Sequence, residues 1–204
     1  MKRFFSIISL IVLASFAVFS QSKSEEILQK LVNNFFNRGG IEANYSLKTN
    51  KNSSSGVIKI YKQKFAILNP SISTWYDGET QWNYNIASNE VTITEPSQEE
   101  LELNSPYNII VDYQNKFTST LVKSKIGGTF CIVLKPKTTS TDIKKVVLYV
   151  KASNYNLVRA DITMSNNVVS TFILTNVKSG LNIKKEEFIF PTNKYKKAKI
   201  IDLR

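Results

Sequence analysis

The chain has 204 residues, of which 42% are apolar, 21% charged and 11% aromatic, the profile of a globular protein rather than a disordered tail. It contains no histidine and one cysteine, which excludes histidine-dependent triads, Cys/His catalytic pairs, His/Cys zinc sites and intrachain disulfides. The formal net charge is +11, yet only Arg3, Arg38, Arg159 and Arg204 are arginines. Bidentate recognition of phosphate or guanine favours arginine, so no nucleic-acid partner is expected.

Residues 1–20 read as an export signal, with Lys2 and Arg3 at its start, an apolar run from Ile7 to Phe19 and a cleavage site near Ser20. The run is broken by Ser9 and Ser15 and falls short of the roughly 20 residues that a membrane span needs. Two of the 27 basic residues and none of the 16 acidic ones lie in this segment, so the mature chain keeps a net charge of +9. No cysteine follows the apolar run, so lipid anchoring is not expected. The remaining residues, 21–204, are expected to fold as a single domain.

Ser22-Lys23-Ser24-Glu25 has the form of a capping box, and Ile27, Leu28, Leu31, Val32, Phe35 and Phe36 recur at helical spacing behind it. An amphipathic helix is predicted, ended by Arg38-Gly39-Gly40. Strands are predicted over 41–49, 55–61, 64–69 and 72–76, and Asp77-Gly78 is expected to form a type I′ turn into Thr80–Tyr84. Residues 89–94 supply the next strand. Ser97-Gln98-Glu99-Glu100 is a second capping box, opening a helical insert that carries Leu101 and Leu103 and is interrupted at Pro106. Alternation returns over 117–123, 129–135, 143–151, 157–164 and 168–176. Phe188-Ile189-Phe190 is unassigned, and 198–203 reads as a final strand.

This makes about ten or eleven antiparallel strands and two helical segments, and open sheets of that size curl, split or close. Alternate residues would line one concave face: Ile58, Ile60, Phe65, Ile67, Trp82, Tyr84, Val91, Ile93, Leu134, Leu148, Val150, Phe172 and Leu174. The same pattern is explained by a solid core, and periodicity alone favours that reading over a cavity. No catalytic constellation emerges. Asp77 with Glu79, the Glu99, Glu100 and Glu102 group, and Glu186 with Glu187 are each explained by turns, helix starts or chain adjacency. The phosphate-binding glycine spacings are absent, and Cys131 lies in a predicted strand as a small buried thiol. Lysines 184, 185, 194, 196, 197 and 199 form the densest basic cluster, which suits solvated surface, anionic headgroups or an acidic partner.

The succession Gly56, Ile58, Ile60, Lys62 and Phe65, then Asp77-Gly78-Glu79-Thr80-Gln81-Trp82-Asn83-Tyr84 and Val91, resembles the LolA-type outer-membrane lipoprotein carriers of bacteria. Leu134-Lys135-Pro136-Lys137, Phe188-Ile189-Phe190 and Ile200-Ile201-Asp202 are similar to later segments of that family. The resemblance implies a mainly β, α+β architecture: a strongly curved antiparallel sheet forming an incomplete barrel covered by short helices. It also implies a non-enzymatic periplasmic carrier without cofactors, working as a monomer. Its partners would be acylated lipoproteins, an inner-membrane release complex and an outer-membrane receptor or membrane. The lid would be Ile27, Leu31, Phe35, Leu101 and Leu103 over the residues named above, which reverses the preference for a solid core. One departure is that Lys62-Gln63 stands where better-known members often carry an Arg-Pro latch. Lysine cannot reproduce a forked guanidinium bond, so lid closure is expected to rest on apolar contacts. The alternative is a periplasmic sensor or lipid-binding interaction protein built on the same sheet.

Overall fold

The computed structural model describes residues 23–35, 39–50, 52–97, 100–101, 106–138 and 141–204. The signal segment, Ser22 of the first capping box and Leu103 of the insert lie outside them. Helix α1 covers 23–35. It buries the stripe that its sequence spacing predicts, with Ile27, Leu28, Leu31 and Phe35 each no more than 2% exposed. Gly39 beyond it has φ +90°, a left-handed backbone that glycine adopts without steric cost.

Twelve strands follow, β1 (Gly40–Lys48), β2 (Ser53–Tyr61), β3 (Lys64–Leu68), β4 (Ile72–Tyr76), β5 (Gln81–Asn85), β6 (Glu90–Thr94), β7 (Phe117–Val122), β8 (Thr129–Pro136), β9 (Ile143–Lys151), β10 (Leu157–Met164), β11 (Val169–Leu181) and β12 (Lys199–Asp202). Short helices α2 (Pro106–Val111) and α3 (Tyr113–Lys116) precede β7, and a 3-10 turn spans Lys185–Phe188. All strands lie in one open sheet in the order β12-β6-β5-β4-β3-β2-β1-β11-β10-β9-β8-β7. The architecture is an incomplete barrel with short helices, as the resemblance implies. Consecutive strands pair as antiparallel hairpins within β1–β6 and within β7–β11, and the one long-range antiparallel pairing, β1 with β11, joins the two halves. Register shifts at Gly40, Glu42 and Asn44 break the β1–β11 ladder, and Asn176 and Gly180 of β11 take φ of +52° and +77° there. Such bulges sharpen twist and bend a long strand.

The structure departs from the sequence reading at three places. Asp77-Gly78 is not a type I′ turn: Tyr76 pairs with Gln81 across a four-residue loop in which Gly78 alone takes positive φ (+106°). Asp77 shapes that loop itself, since its Oδ1 accepts hydrogen bonds from the Glu79 and Thr80 amides at 3.1 and 2.9 Å. Strand β11 runs on to Leu181. Finally, β12 pairs with β6 in parallel rather than antiparallel, because the chain crosses the sheet between Leu181 and Lys199 and re-enters along the edge of β6. The second capping box is present as read: the Glu100 carboxylate accepts from the Ser97 amide at 2.8 Å, and Ser97 Oγ accepts from the Glu100 amide at 3.3 Å.

The inner face is covered, and so is the outer face across β3–β6. The inner face packs under α1 and the helical insert, in a cluster that runs from Ile41 and Ile60 to Leu148 and Phe172. Across β3–β6 the outer face carries a second cluster of Ala66, Trp75, Tyr84 and Val91, sealed by Phe188 and Phe190 of the C-terminal segment. Gly56 lets β2 and β3 meet closely, since a Cβ there would lie 1.9 Å from the Leu68 carbonyl oxygen. Gly56→Ala is expected to lower stability by about 2–3 kcal/mol through the backbone shift it forces. A urea midpoint equal to that of the parent would contradict this reading of the contact.

Candidate functional site

The inner face is built by strand alternation. Ile58 and Ile60 of β2, Phe65 of β3, Leu134 of β8, Leu148 and Val150 of β9, and Phe172 and Leu174 of β11 are all buried in the inner cluster, with Ile67 packed against its edge. Ile27, Leu31 and Phe35 of α1 and Leu101 of the insert reach the same cluster from above. Ile109, Ile110 and Tyr113, which were not among the expected lid residues, join them. In this state α1, Leu101, Ile109, Ile110 and Tyr113 pack on the hydrocarbon face, and among the described residues that face is covered by the protein's own side chains.

Trp82, Tyr84 and Val91 are not on that face, a correction to the expected lining. Directly paired residues share a face, and Ala66 pairs with Trp75, Trp75 with Trp82, and Tyr84 with Val91. The partners that face inward are Phe65 with Tyr76 and Tyr76 with Gln81. Tyr84 and Val91 therefore lie in the outer cluster, and Trp82, with Ile93 as its cross-strand partner, packs against it. There Tyr84 meets Tyr195 at 4.3 Å between ring centres, and Phe190 meets Trp75 at 5.5 Å and Tyr195 at 5.5 Å. Alternation identified the apolar face of β5 and β6 but not that it lies on the outer side of the sheet, under the C-terminal segment. The adjacent buried pairs Phe65-Ala66 and Trp75-Tyr76 were the available signal of a strand covered on both sides.

On the inner side, β4–β6 is polar instead. Thr74 Oγ1 donates to Asn83 Oδ1 at 2.8 Å, and the buried Gln81 Oε1 has no partner among the described residues. The inner surface is thus hydrocarbon under α1 and amide- and hydroxyl-bearing toward β6.

Helix α1 is tied to the sheet near both ends. The Ser24 and Ser119 hydroxyls are 2.8 Å apart, Asn34 Nδ2 donates to the Asn154 carbonyl, and Lys30 Nζ lies 3.3 Å from Tyr155 Oη and 4.8 Å from its ring centre. On its outer side Glu26 accepts from both Lys23 and Lys30, which holds its carboxyl down at about 2. Lys62 lies in the β2–β3 turn with its ammonium 5.5 Å from the Tyr61 ring centre. Tyr61 packs against the outer cluster. Cys131 is buried, and burial pushes its thiol up, away from the reactive thiolate form.

Two concavities open elsewhere. One of about 600 Å³ lies on the outer face between β2–β4 and the C-terminal segment, lined by Leu68, Trp75, Ile86, Ile189, Lys194 and Tyr195 among others. The other, of about 580 Å³, lies among the turns at the far end of β8–β11, beside Gly128, Asn154, Leu157 and Val177. Among the described residues no group of three or more His, Cys, Asp or Glu side chains could hold a metal ion. No helix of those residues is long and apolar enough to cross a membrane.

A curved open sheet whose hydrocarbon face is closed by an N-terminal helix defines a binding fold. Residues 13–187 match the family described as outer membrane lipoprotein carrier protein LolA, and the chain belongs to that family. No catalytic family is indicated. No curated protein sequence matches the chain. Among solved structures it is similar to an uncharacterized conserved protein from Thermus thermophilus, at 14% identity and TM-score 0.59, over 88% of this chain and 99% of that one. It is also similar to a DUF1329 family protein from Desulfovibrio piger, at 10% identity and TM-score 0.51, over 83% of this chain and 97% of that one. The MucA/MucB complex structure from Pseudomonas aeruginosa gives 11% identity and TM-score 0.50, over 83% of this chain and 62% of that one. At these identities the likeness is one of fold.

Glu26 titrates lower in the folded chain than its ordinary value of 4.5, so its contribution to holding α1 is complete above pH 4.5 and is lost as pH falls through about 2. Amide exchange in α1 should accelerate over that window relative to strand β9, and less so in Glu26→Gln. Equal acceleration in the variant would contradict the assignment.

Proposed function

We propose that this protein is a periplasmic carrier that takes the acyl chains of lipoproteins onto its inner sheet face and hands them toward the outer membrane. Residues 1–20 act as its export signal, and residues 21–204 form one carrier unit that works as a monomer. Its partners are acylated lipoproteins, a release complex at the inner membrane, and a receptor or the bilayer at the outer one. The lining is Ile58, Ile60, Phe65, Ile67, Leu134, Leu148, Val150, Phe172 and Leu174, without Trp82, Tyr84 and Val91.

The observation that carries this reading is that α1 occupies the hydrocarbon face with four aliphatic and aromatic side chains of its own. Burying four such side chains is worth about 6–12 kcal/mol as an upper estimate. An acyl chain that buries about ten methylenes at about 0.8 kcal/mol each gains about 8 kcal/mol, or roughly micromolar binding. The two are of the same order, so cargo can exchange with the helix without bond chemistry. Binding is then a shift between a state closed by α1 and a state in which hydrocarbon replaces it. Lysine at position 62 leaves this exchange without an arginine latch. The polar strip at Thr74, Gln81 and Asn83 suits the ester and amide end of an acylated terminus.

The Ser24–Ser119 hydroxyl contact offers a direct test. In a Cys131→Ala background, Ser24→Cys with Ser119→Cys should form a disulfide that staples α1 to β7. The oxidised protein is expected to lose binding of a fluorescent acylated peptide at least tenfold and to regain it on reduction. Undiminished uptake by the stapled protein would overturn the exchange reading. Trp82→Ala, on the opposite face, should leave uptake unchanged in protein that remains folded.

The outer groove favours a second reading, in which the same sheet serves a sensor that binds a protein partner. Gentle purification followed by mass spectrometry separates the two, since co-purified lipoprotein supports the carrier and a single stoichiometric protein partner without acyl groups supports the sensor.

A further inference from the structure

The lysine cluster of the C-terminal segment gains a context from the fold. Between the 3-10 turn and β12 the chain crosses the outer face and leaves Lys194, Lys196 and Lys197 exposed. Two of the nearby acids are already engaged. Glu187 pairs with Lys59, and Glu90 pairs with Lys199 at 2.9 Å, while Glu186 is the remaining carboxylate lining the adjacent groove. Lys194, Lys196 and Lys197 have no ion pair among the described residues.

Beside these lysines the fold gathers aliphatic side chains that it does not cover. Ile86, in the turn between β5 and β6, and Ile189 line the same groove as Lys194 and are 43% and 42% exposed. The Ile86 amide donates to the Ser71 carbonyl at 3.0 Å, which holds the turn against the β3–β4 loop, whose Asn69 and Pro70 line the same groove. The Asn89 side chain donates to the Lys197 carbonyl at 2.9 Å and holds the lysine segment against that turn. Two isoleucines, Ile86 and Ile189, beside three lysines without an ion pair among the described residues form one patch.

We propose that this patch docks the protein on an anionic phospholipid surface, with Lys194, Lys196 and Lys197 meeting headgroup phosphates and Ile86 and Ile189 entering the interface. Its chemistry favours a bilayer over an acidic protein. Protein hot spots concentrate Trp, Tyr and Arg in desolvated pockets, whereas this patch offers flexible point charges and aliphatic tips that need no fixed partner geometry. Interfacial binding of this kind adds apolar burial to attraction by anionic lipid. The patch lies outside the face closed by α1, so the inference stands independently of the acyl-carrier reading.

The test uses the mature full-length protein in flotation assays with vesicles of pure phosphatidylcholine and of phosphatidylcholine with phosphatidylglycerol. Each lysine near an anionic leaflet is worth a factor of about five in partitioning. The triple variant K194E/K196E/K197E should therefore bind phosphatidylglycerol vesicles at least about a hundredfold more weakly, and salt should weaken the parent in the same direction. Ile86→Ser with Ile189→Ser should reduce binding while keeping its salt dependence. Equal binding of the parent to both vesicle types, equal binding of the triple variant, or failure of the parent to bind would overturn the proposal. So would selective binding of an acidic peptide such as polyglutamate by a parent that ignores vesicles, which would assign the patch to a protein. Uptake of the acylated peptide by the triple variant is measured in parallel. Its retention separates failure of docking from failure of the carrier reading.

Discussion

The burial of Ile27, Leu28, Leu31 and Phe35 against the inner face is the interaction on which the rest of the structure depends. A twelve-stranded sheet presents more apolar surface than its own strands can cover. With a gap between β7 and β12, the sheet cannot close on itself and must borrow its cover from elsewhere in the chain. Apolar burial is strong in sum but non-directional, so a surface that accepts leucine and phenylalanine from a helix also accepts methylenes from another source. A cover held chiefly in this way can be replaced by anything of similar hydrophobic area.

The two covers differ in how they are held. The C-terminal segment locks onto the outer face through an aromatic cluster around Phe190, the Lys59–Glu187 ion pair and a parallel strand whose Lys199 and Leu203 amides bond to the Asn89 and Ile93 carbonyls. Aromatic pairs add geometric preference to area burial, and backbone ladders fix register. Helix α1 makes no strand pairing, and an amphipathic helix can lift as a unit without breaking its internal hydrogen bonds. The fold thus combines one cover built to stay and one able to exchange. The same locked segment carries the lysines proposed to meet the bilayer, so a docking surface there would not move when α1 does.

Much of this was legible in the residues. The period of α1, the capping box at Ser97 and Glu100, and the hairpin positions from β1 to β11 follow from local rules that the structure obeys. The interior positions from Ile58 to Leu174 were readable because alternation is a local property. What could not be read was the side of the sheet to which Trp82, Tyr84 and Val91 belong. That depends on where residues 183–198 travel, a contact spanning about a hundred residues with no local signal beyond the aromatics Phe188, Phe190 and Tyr195. The Asp77 loop was misread for a related reason: Asp-Gly favours a two-residue turn, but the Asp77 carboxylate satisfied two backbone amides and stabilised a longer one.

The central claim is that hydrocarbon and α1 compete for one surface. The most direct measurement is a spin-label distance between the exposed face of α1 at Lys30 and the outer face of the sheet at Lys151, recorded as an acylated peptide is titrated. Competition predicts that the short-distance population falls in proportion to bound peptide while a second, longer distance grows. Saturating peptide binding with the α1 distance unchanged would contradict it.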